Sequence, residues 1–116
     1  MKWPDREQVD GAFRSLVADL CGRQNVRGIG YLGSYARRDW GVGSDLDVVA
    51  VVSEDGAVEA VRDELTDLLL QLPVPADVSV LTSSRMTTIR DAGTRYYRVL
   101  RDETVWVCGG LRSAVY

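Results

Sequence analysis

Histidine is absent from the 116 residues of this chain. Its absence excludes Ser-His-Asp and Cys-His catalysis within the chain, together with every metal site that needs an imidazole ligand. Any chemistry that the chain performs must therefore use carboxylates, hydroxyls, arginines and backbone groups.

Cysteines are few, and long apolar segments are lacking. The two cysteines, Cys21 and Cys108, lie far apart without a C-x-x-C spacing, so the sequence indicates neither a disulfide framework nor a zinc site. No apolar run approaches the roughly 20 residues needed to span a bilayer. The first ten residues, MKWPDREQVD, are polar where a signal peptide would be apolar. We therefore expect a cytoplasmic protein.

The chain also lacks an excess of positive charge. Its 14 basic and 17 acidic residues give a net charge of −3. Affinity for nucleic acid comes mainly from lysines and arginines that neutralise phosphates, so we expect no direct nucleic-acid binding. The acidic charge would instead suit a partner that is locally basic. The composition, 46% hydrophobic and 27% charged, is that of one ordinary globular domain.

Apolar residues follow helical spacing in some segments and form short β-branched runs in others. These patterns predict helices over residues 5–20, about 55–72 and about 84–100, the last weakened by Gly93. They predict strands over residues 26–32, 46–52, 78–81 and 104–107, with a short helix between the first two. This order predicts an α/β (α+β) fold with helices packed on a small sheet. We expect a domain over residues 1–108 and a C-terminal tail over residues 109–116.

Two aspartates, Asp45 and Asp47, stand at the start of the apolar strand in GSDLDVVAVV. Residues two apart on a strand point to the same face, about 6.6 Å apart along it. Neighbouring carboxylates that lose water need a cation between them. Oxygen ligands favour Mg²⁺ or Mn²⁺ over zinc. The alternative is a polar strand entrance that is open to solvent.

The turn at Gly33 and Ser34 follows the first predicted strand. Glycine lets a ligand approach the backbone closely, and a serine at a helix start offers a hydroxyl beside free N–H groups, an arrangement that favours phosphate. Arg37, one turn later, adds a cationic donor. An ordinary helix N-cap with solvated arginines is the alternative.

Together these features form the string GSYARRDWGVGSDLD, from Gly33 to Asp47, which sets a phosphate cradle beside a metal pair. The string resembles the signature of the nucleotidyltransferase fold of the DNA polymerase β superfamily, and most closely that of the minimal nucleotidyltransferases, or MNT proteins. The resemblance is most specific over residues 33–52 and extends more loosely over nearly the whole chain. Arg38 departs from the pattern, because the family often has glycine there.

The resemblance implies a nucleotidyltransferase fold with a small mixed sheet and a third carboxylate on a later strand. Asp77, in PADVSVL, is at the matching position, although it could also be a turn residue. Asp45 and Asp47 would hold two Mg²⁺ ions, with Mn²⁺ as an alternative, about 3.5–4 Å apart. Asp77 would complete the site of the metal that activates the acceptor hydroxyl, and would take its proton. The β- and γ-phosphates of ATP would be bound by Gly33, Ser34 and Arg37.

The resemblance also implies a partner. Minimal members of the family are often antitoxins that silence a HEPN-domain ribonuclease by transferring AMP to one of its tyrosines. A chain of 116 residues leaves little room for an acceptor domain, so we expect the acceptor on a second protein or a second copy. The first hypothesis is therefore an adenylyltransferase antitoxin. Two alternatives remain. One is a small-molecule nucleotidyltransferase, for example one that acts as a homodimer, and the other is a non-catalytic antitoxin or binding module.

Overall fold

Four short strands form one sheet in the computed structural model, which describes residues 6–32, 46–72 and 74–109. The strands are β1 (Val26–Leu32), β2 (Leu46–Val52), β3 (Ala76–Thr82) and β4 (Val105–Gly109), in the spatial order β3-β2-β1-β4. β2 and β3 run parallel, whereas β1 is antiparallel to both β2 and β4. The prediction of a small mixed sheet is therefore confirmed.

The described residues also form four helices, one before β1, one between β2 and β3, and two between β3 and β4. They are α1 (Arg6–Cys21), α2 (Val58–Leu69), α3 (Ser83–Asp91) and α4 (Arg95–Asp102), and a 3-10 turn at Asp55–Ala57 precedes α2. Within the described residues, no helix combines the length and the apolar character needed to cross a bilayer. The predicted short helix between β1 and β2 falls in residues 33–45, and most of the predicted tail falls in residues 110–116; both lie outside the described residues.

The single helix predicted over residues 84–100 is wrong, because α3 and α4 are separate. Gly93 lies between them with a φ of 65°, a left-handed conformation that glycine adopts readily. Thr94 then caps α4, since its hydroxyl accepts a hydrogen bond from the backbone N–H of Tyr97 at 3.3 Å. The chain therefore changes direction at residues 92–94.

α1 and α2 pack on the first face of the sheet. The helical stripe of α1 that includes Phe13 and Val17 is buried against β2 residues such as Val48 and Ala50. This is the larger of the two core clusters found among the described residues. It buries the parts of both helices that the apolar spacing predicts.

α3 and α4 pack on the second face. Met86 and Leu100 are fully buried there against Val49 and Val51 of β2. Trp106 of β4 is half-buried beside them, and its indole N–H donates to the Leu100 carbonyl at 3.2 Å. Because side chains alternate along a strand, Asp47 lies on this same face, next to Val49.

The two cysteines meet at the end of α1 and on β4. Cys21 and Cys108 form a disulfide with a Cα–Cα distance of 6.0 Å, although 87 positions separate them in sequence. The cysteine spacing indicates no disulfide framework, and the structure corrects that interpretation. The pairing depends on β4 returning to the sheet beside β1, a contact between distant segments that cysteine spacing alone does not reveal.

Candidate active site

Asp47 and Asp77 lie side by side at the start of two parallel strands. The register of β2 and β3 makes them direct partners, so both side chains leave the same face of the sheet. Neighbouring strands are about 4.8 Å apart, which brings the carboxylates within reach of one shared cation. Asp47 is half-buried and Asp77 is exposed. The structure therefore joins two carboxylates that are distant in sequence.

The path of the chain explains this juxtaposition. β2 is an interior strand with an almost wholly apolar sequence, and α2 carries the chain from its far end back to the start of β3. A connection of this kind between parallel strands places the starts of both strands at the same end of the sheet. The backbone N–H of Leu46 donates to the Pro75 carbonyl at 2.9 Å, which fixes the register where the acidic side chains emerge.

Four of the six predicted site residues lie outside the described residues: Asp45, Gly33, Ser34 and Arg37. The described chain still constrains where their segment begins. Leu32, the last residue of β1, is the register partner of Asp47. The predicted phosphate-binding turn therefore follows directly after a residue that lies beside the carboxylate pair.

The donor set is compatible with a hard divalent cation. Asp47 and Asp77 supply only carboxylate oxygens, which suit Mg²⁺ or Mn²⁺ rather than zinc. Among residues 6–32, 46–72 and 74–109, no group of three or more metal-ligating side chains comes together. A third carboxylate for the site would be Asp45, the residue that immediately precedes β2.

Ser79 is a candidate residue that the sequence reasoning missed. It lies on β3 two positions after Asp77, it is exposed, and its register partner is Val49. The alternation in DVSVL would have identified it, because residues two apart on a strand share a face. Ser79 adds a hydroxyl to the face that carries the two carboxylates.

An apolar cleft lies elsewhere. It has a volume of about 330 Å³ and is lined by the end of α2, the following turn and the start of β3, including Leu69, Leu72 and Val78. Its strand residues, Ala76 and Val78, pack with the first-face core, whereas Asp47 and Asp77 leave the opposite face. The cleft is therefore distinct from the carboxylate pair.

Comparisons with solved structures agree with this architecture. A protein assigned as a nucleotidyltransferase from Sulfolobus solfataricus is similar at 18% identity, with 87% of this chain and 80% of that chain covered and a TM-score of 0.56. A toxin–antitoxin structure with AMP-PNP is similar at 14% identity, with 90% and 77% covered and a TM-score of 0.51. At these identities the likeness establishes the fold. A search of curated proteins finds no match.

The family comparison covers most of the chain. Residues 14–107 match the family model of the nucleotidyltransferase domain. The match spans β1 to β3, and so includes both Asp47 and Asp77 as well as the segment between β1 and β2. The mixed sheet, the paired carboxylates and this match lead to one conclusion: the chain belongs to the nucleotidyltransferase domain family.

Proposed function

We propose that this chain is a metal-dependent adenylyltransferase that acts as an antitoxin. It transfers AMP from ATP to a hydroxyl of a partner HEPN toxin, with tyrosine as the expected acceptor. The observation that carries the proposal is the register pairing of Asp47 with Asp77 on one sheet face. Membership of the nucleotidyltransferase family supports the reaction class. The fold likeness to a toxin–antitoxin structure with AMP-PNP supports the choice of nucleotide and partner.

The roles of the residues follow from their chemistry. Asp45, Asp47 and Asp77 would hold two Mg²⁺ ions, which when bound neutralise charge on the attacking and leaving oxygens. Asp77, the exposed member, would accept the proton of the acceptor hydroxyl. Gly33 and Ser34 would orient the β- and γ-phosphates through backbone and hydroxyl donors, and Arg37 would add a charged donor.

The transfer balances without a redox partner. The acceptor oxygen bonds to the α-phosphorus, the bond from that phosphorus to the bridging oxygen breaks, and pyrophosphate leaves with the electron pair. The proton passes to the carboxylate of Asp77. The nucleotide and an RNA-cutting partner are both intracellular, so we propose the cytoplasm as the setting.

Intact-mass spectrometry tests the transfer directly. The chain is mixed with the HEPN protein encoded beside it, ATP and Mg²⁺, and the partner should gain the mass of one AMP or a small multiple. Asp77→Asn should slow this gain by about 100-fold or more, because it removes a proton acceptor and a ligand. EDTA should abolish it.

Asp67→Asn is the matched control. Asp67 is an exposed aspartate on α2, which packs on the other face of the sheet, so this variant should transfer AMP at the wild-type rate. If the partner is neutralised without any mass gain, and equally well by the Asp45→Asn, Asp47→Asn double variant, the chain is a binding antitoxin. Transfer to small-molecule alcohols but never to the partner would favour the small-molecule alternative.

A further inference from the structure

The charge of the chain is unevenly distributed. Residues 83–102, which form α3 and α4, contain five arginines and two aspartates, a net charge of +3. The remaining 96 residues carry nine basic and fifteen acidic residues, a net charge of −6. The expectation of a locally basic partner came from the total charge alone. The local charge of these two helices is positive, opposite in sign to the charge of the whole chain.

The arginines of this segment are all exposed, and three of them form no ion pair with any other residue that the structure describes. Arg90 and Arg101 pair with their sequence neighbours, at 3.2 and 2.8 Å. In the described part of the chain, the ion pairs do not include Arg85, Arg95 or Arg98. Arg98 lies close enough to Asp102 to help lower the pKa of that carboxyl, although the adjacent Arg101 contributes more. As far as the described ranges go, three guanidinium groups of this segment are therefore exposed and outside any ion pair.

The sequence of α4 begins RYYR, a composition typical of protein-binding surfaces. Arg95 and Arg98 are about one turn apart and share a face of the helix, whereas Tyr96, 37% exposed, projects to the side of that face. Arginine and tyrosine are enriched at positions that dominate binding energy in protein interfaces. A guanidinium group also binds a carboxylate through two parallel hydrogen bonds, which fixes orientation as well as charge.

These helices lie on the same side of the sheet as the carboxylate pair. Met86 and Leu100 contact Val49 and Val51, and Asp47 is on that face of β2. Asp47 and Val51 are four positions apart on β2, a distance of about 13 Å along the strand. A standard protein interface covers about 800 Å² on each partner, a patch roughly 30 Å across. A partner docked on α4 would therefore lie on the side of the sheet from which Asp77 projects.

We propose that the exposed face of α4, defined by Arg95 and Arg98, docks an acidic segment of the partner protein whose hydroxyl receives AMP. This proposal rests on the proposed function. A protein partner fits the charges better than a nucleic acid does. Non-specific nucleic-acid affinity grows with the number of phosphates neutralised, and the −6 charge of the remaining residues opposes a long polyanion. A short acidic segment needs only the arginines of this face.

Affinity measured without transfer tests the docking surface. The full chain is titrated with the HEPN protein encoded beside it, in EDTA and without ATP, at low and at high salt. The Arg95→Glu, Arg98→Glu variant should bind about 10- to 100-fold more weakly than wild type at low salt, because each substitution replaces attraction with repulsion. Wild-type binding should weaken as salt rises.

The control is Arg27→Glu, Arg62→Glu, which changes the net charge equally. Both control arginines are exposed, on β1 and α2 respectively. Arg95→Gln, Arg98→Gln provides a milder version if the reversed charges disturb folding. An equal loss in the α4 and control variants overturns the proposal, as does unchanged binding. Binding of polyuridylate that depends on Arg95 and Arg98, with partner binding intact, also overturns it.

The same experiment separates this proposal from the function on which it rests. Mass analysis of the wild-type mixture with ATP and Mg²⁺ reports transfer, whereas the titration in EDTA reports docking. If AMP is transferred but substitution of Arg95 and Arg98 does not weaken binding, the proposed function stands and the proposed docking surface is wrong. If the partner binds through α4 but receives no AMP, the proposed docking surface stands and the proposed enzymatic function is wrong.

Discussion

Gly30 is where the backbones of β1 and β4 approach each other closely. A Cβ at this position would lie 2.6 Å from the Val105 carbonyl oxygen and 3.1 Å from the Trp106 Cα. Both contacts are with backbone, so a side chain cannot simply rotate away. The register of the two strands also shifts between Ile29 and Gly30. Glycine is therefore needed at this position because a Cβ would not fit, and not because of an unusual φ.

We expect Gly30→Ala to lower the free energy of unfolding by about 1–3 kcal/mol, the usual cost of overpacking a tight site. Gly11→Ala is the matched control, because a Cβ there meets nothing within 4 Å and the residue lies within α1. That substitution should raise the free energy of unfolding by about 0.5–1 kcal/mol. Urea denaturation measures both values. Effects of the same sign would contradict the contact at Gly30.

The sequence predicts part of the candidate site at this scale, for a local reason. Alternation along β2 fixes which face Asp47 shares with Val49, whereas Asp77 is predicted only because the resemblance implies a carboxylate on a later strand. The direct pairing of the two depends on the register between strands, which distant contacts set. Ser79 could have been found by the same alternation, but an isolated exposed serine gives little chemical signal.

Among the elements, α3 and α4 form a pair linked through one threonine. The Thr94 hydroxyl accepts from the Tyr97 N–H at 3.3 Å and donates to the Ile89 carbonyl at 3.2 Å. It therefore caps the start of α4 and also satisfies a carbonyl near the end of α3. The α4 face that we propose for docking depends on this joint for its position.

Thr94→Ala should lower the free energy of unfolding by about 1 kcal/mol, because it removes an N-cap. Thr88→Ala is the control: its exposed hydroxyl only donates back to the Ser84 carbonyl at 3.1 Å, so the change should stay within about 0.5 kcal/mol. Thermal or urea melts followed by circular dichroism give both values. Equal stabilities of the two variants would rule out the capping role.

The elements differ in how well the sequence predicts them. The bounds predicted for β1 and β2 agree with the structure, because their apolar runs begin and end sharply. β3 begins two residues earlier than predicted, since an edge strand with alternating exposure contains polar residues that resemble a turn. The sequence does not predict the joint at Gly93, because an isolated glycine is also tolerated within a helix.

At the scale of the whole molecule, the order β3-β2-β1-β4 places the carboxylate pair near one lateral edge of the sheet and the disulfide at the other. Asp47 and Asp77 lie on β2 and β3, while Cys108 lies on β4 and joins the end of α1. Helix and strand patterns predict the fold class but not this order, which requires pairing between segments far apart in sequence. The cysteine pair is therefore a consequence of topology that spacing rules could not reveal.

Reduction of the Cys21–Cys108 bridge should weaken the fold without unfolding it. The bridge closes a loop spanning 87 positions and restricts the unfolded chain, an effect typically worth about 2–4 kcal/mol. Domains of this size usually have about 5–15 kcal/mol of stability, so the reduced protein should stay folded. At about 4 °C per kcal/mol, reductant should lower Tm by roughly 8–16 °C.

The Cys21→Ala, Cys108→Ala variant is the control, because it cannot form the bridge. It should melt near the reduced wild type, and its Tm should not respond to reductant. Thiol titration of the unfolded wild type should give two reactive thiols only after reduction. The cytosol keeps thiols reduced, so the proposed activity must survive this treatment, and it should, since the carboxylates lie on β2 and β3 rather than on β4. If reductant changes neither the Tm nor the number of reactive thiols of the wild type, the two cysteines are not bridged.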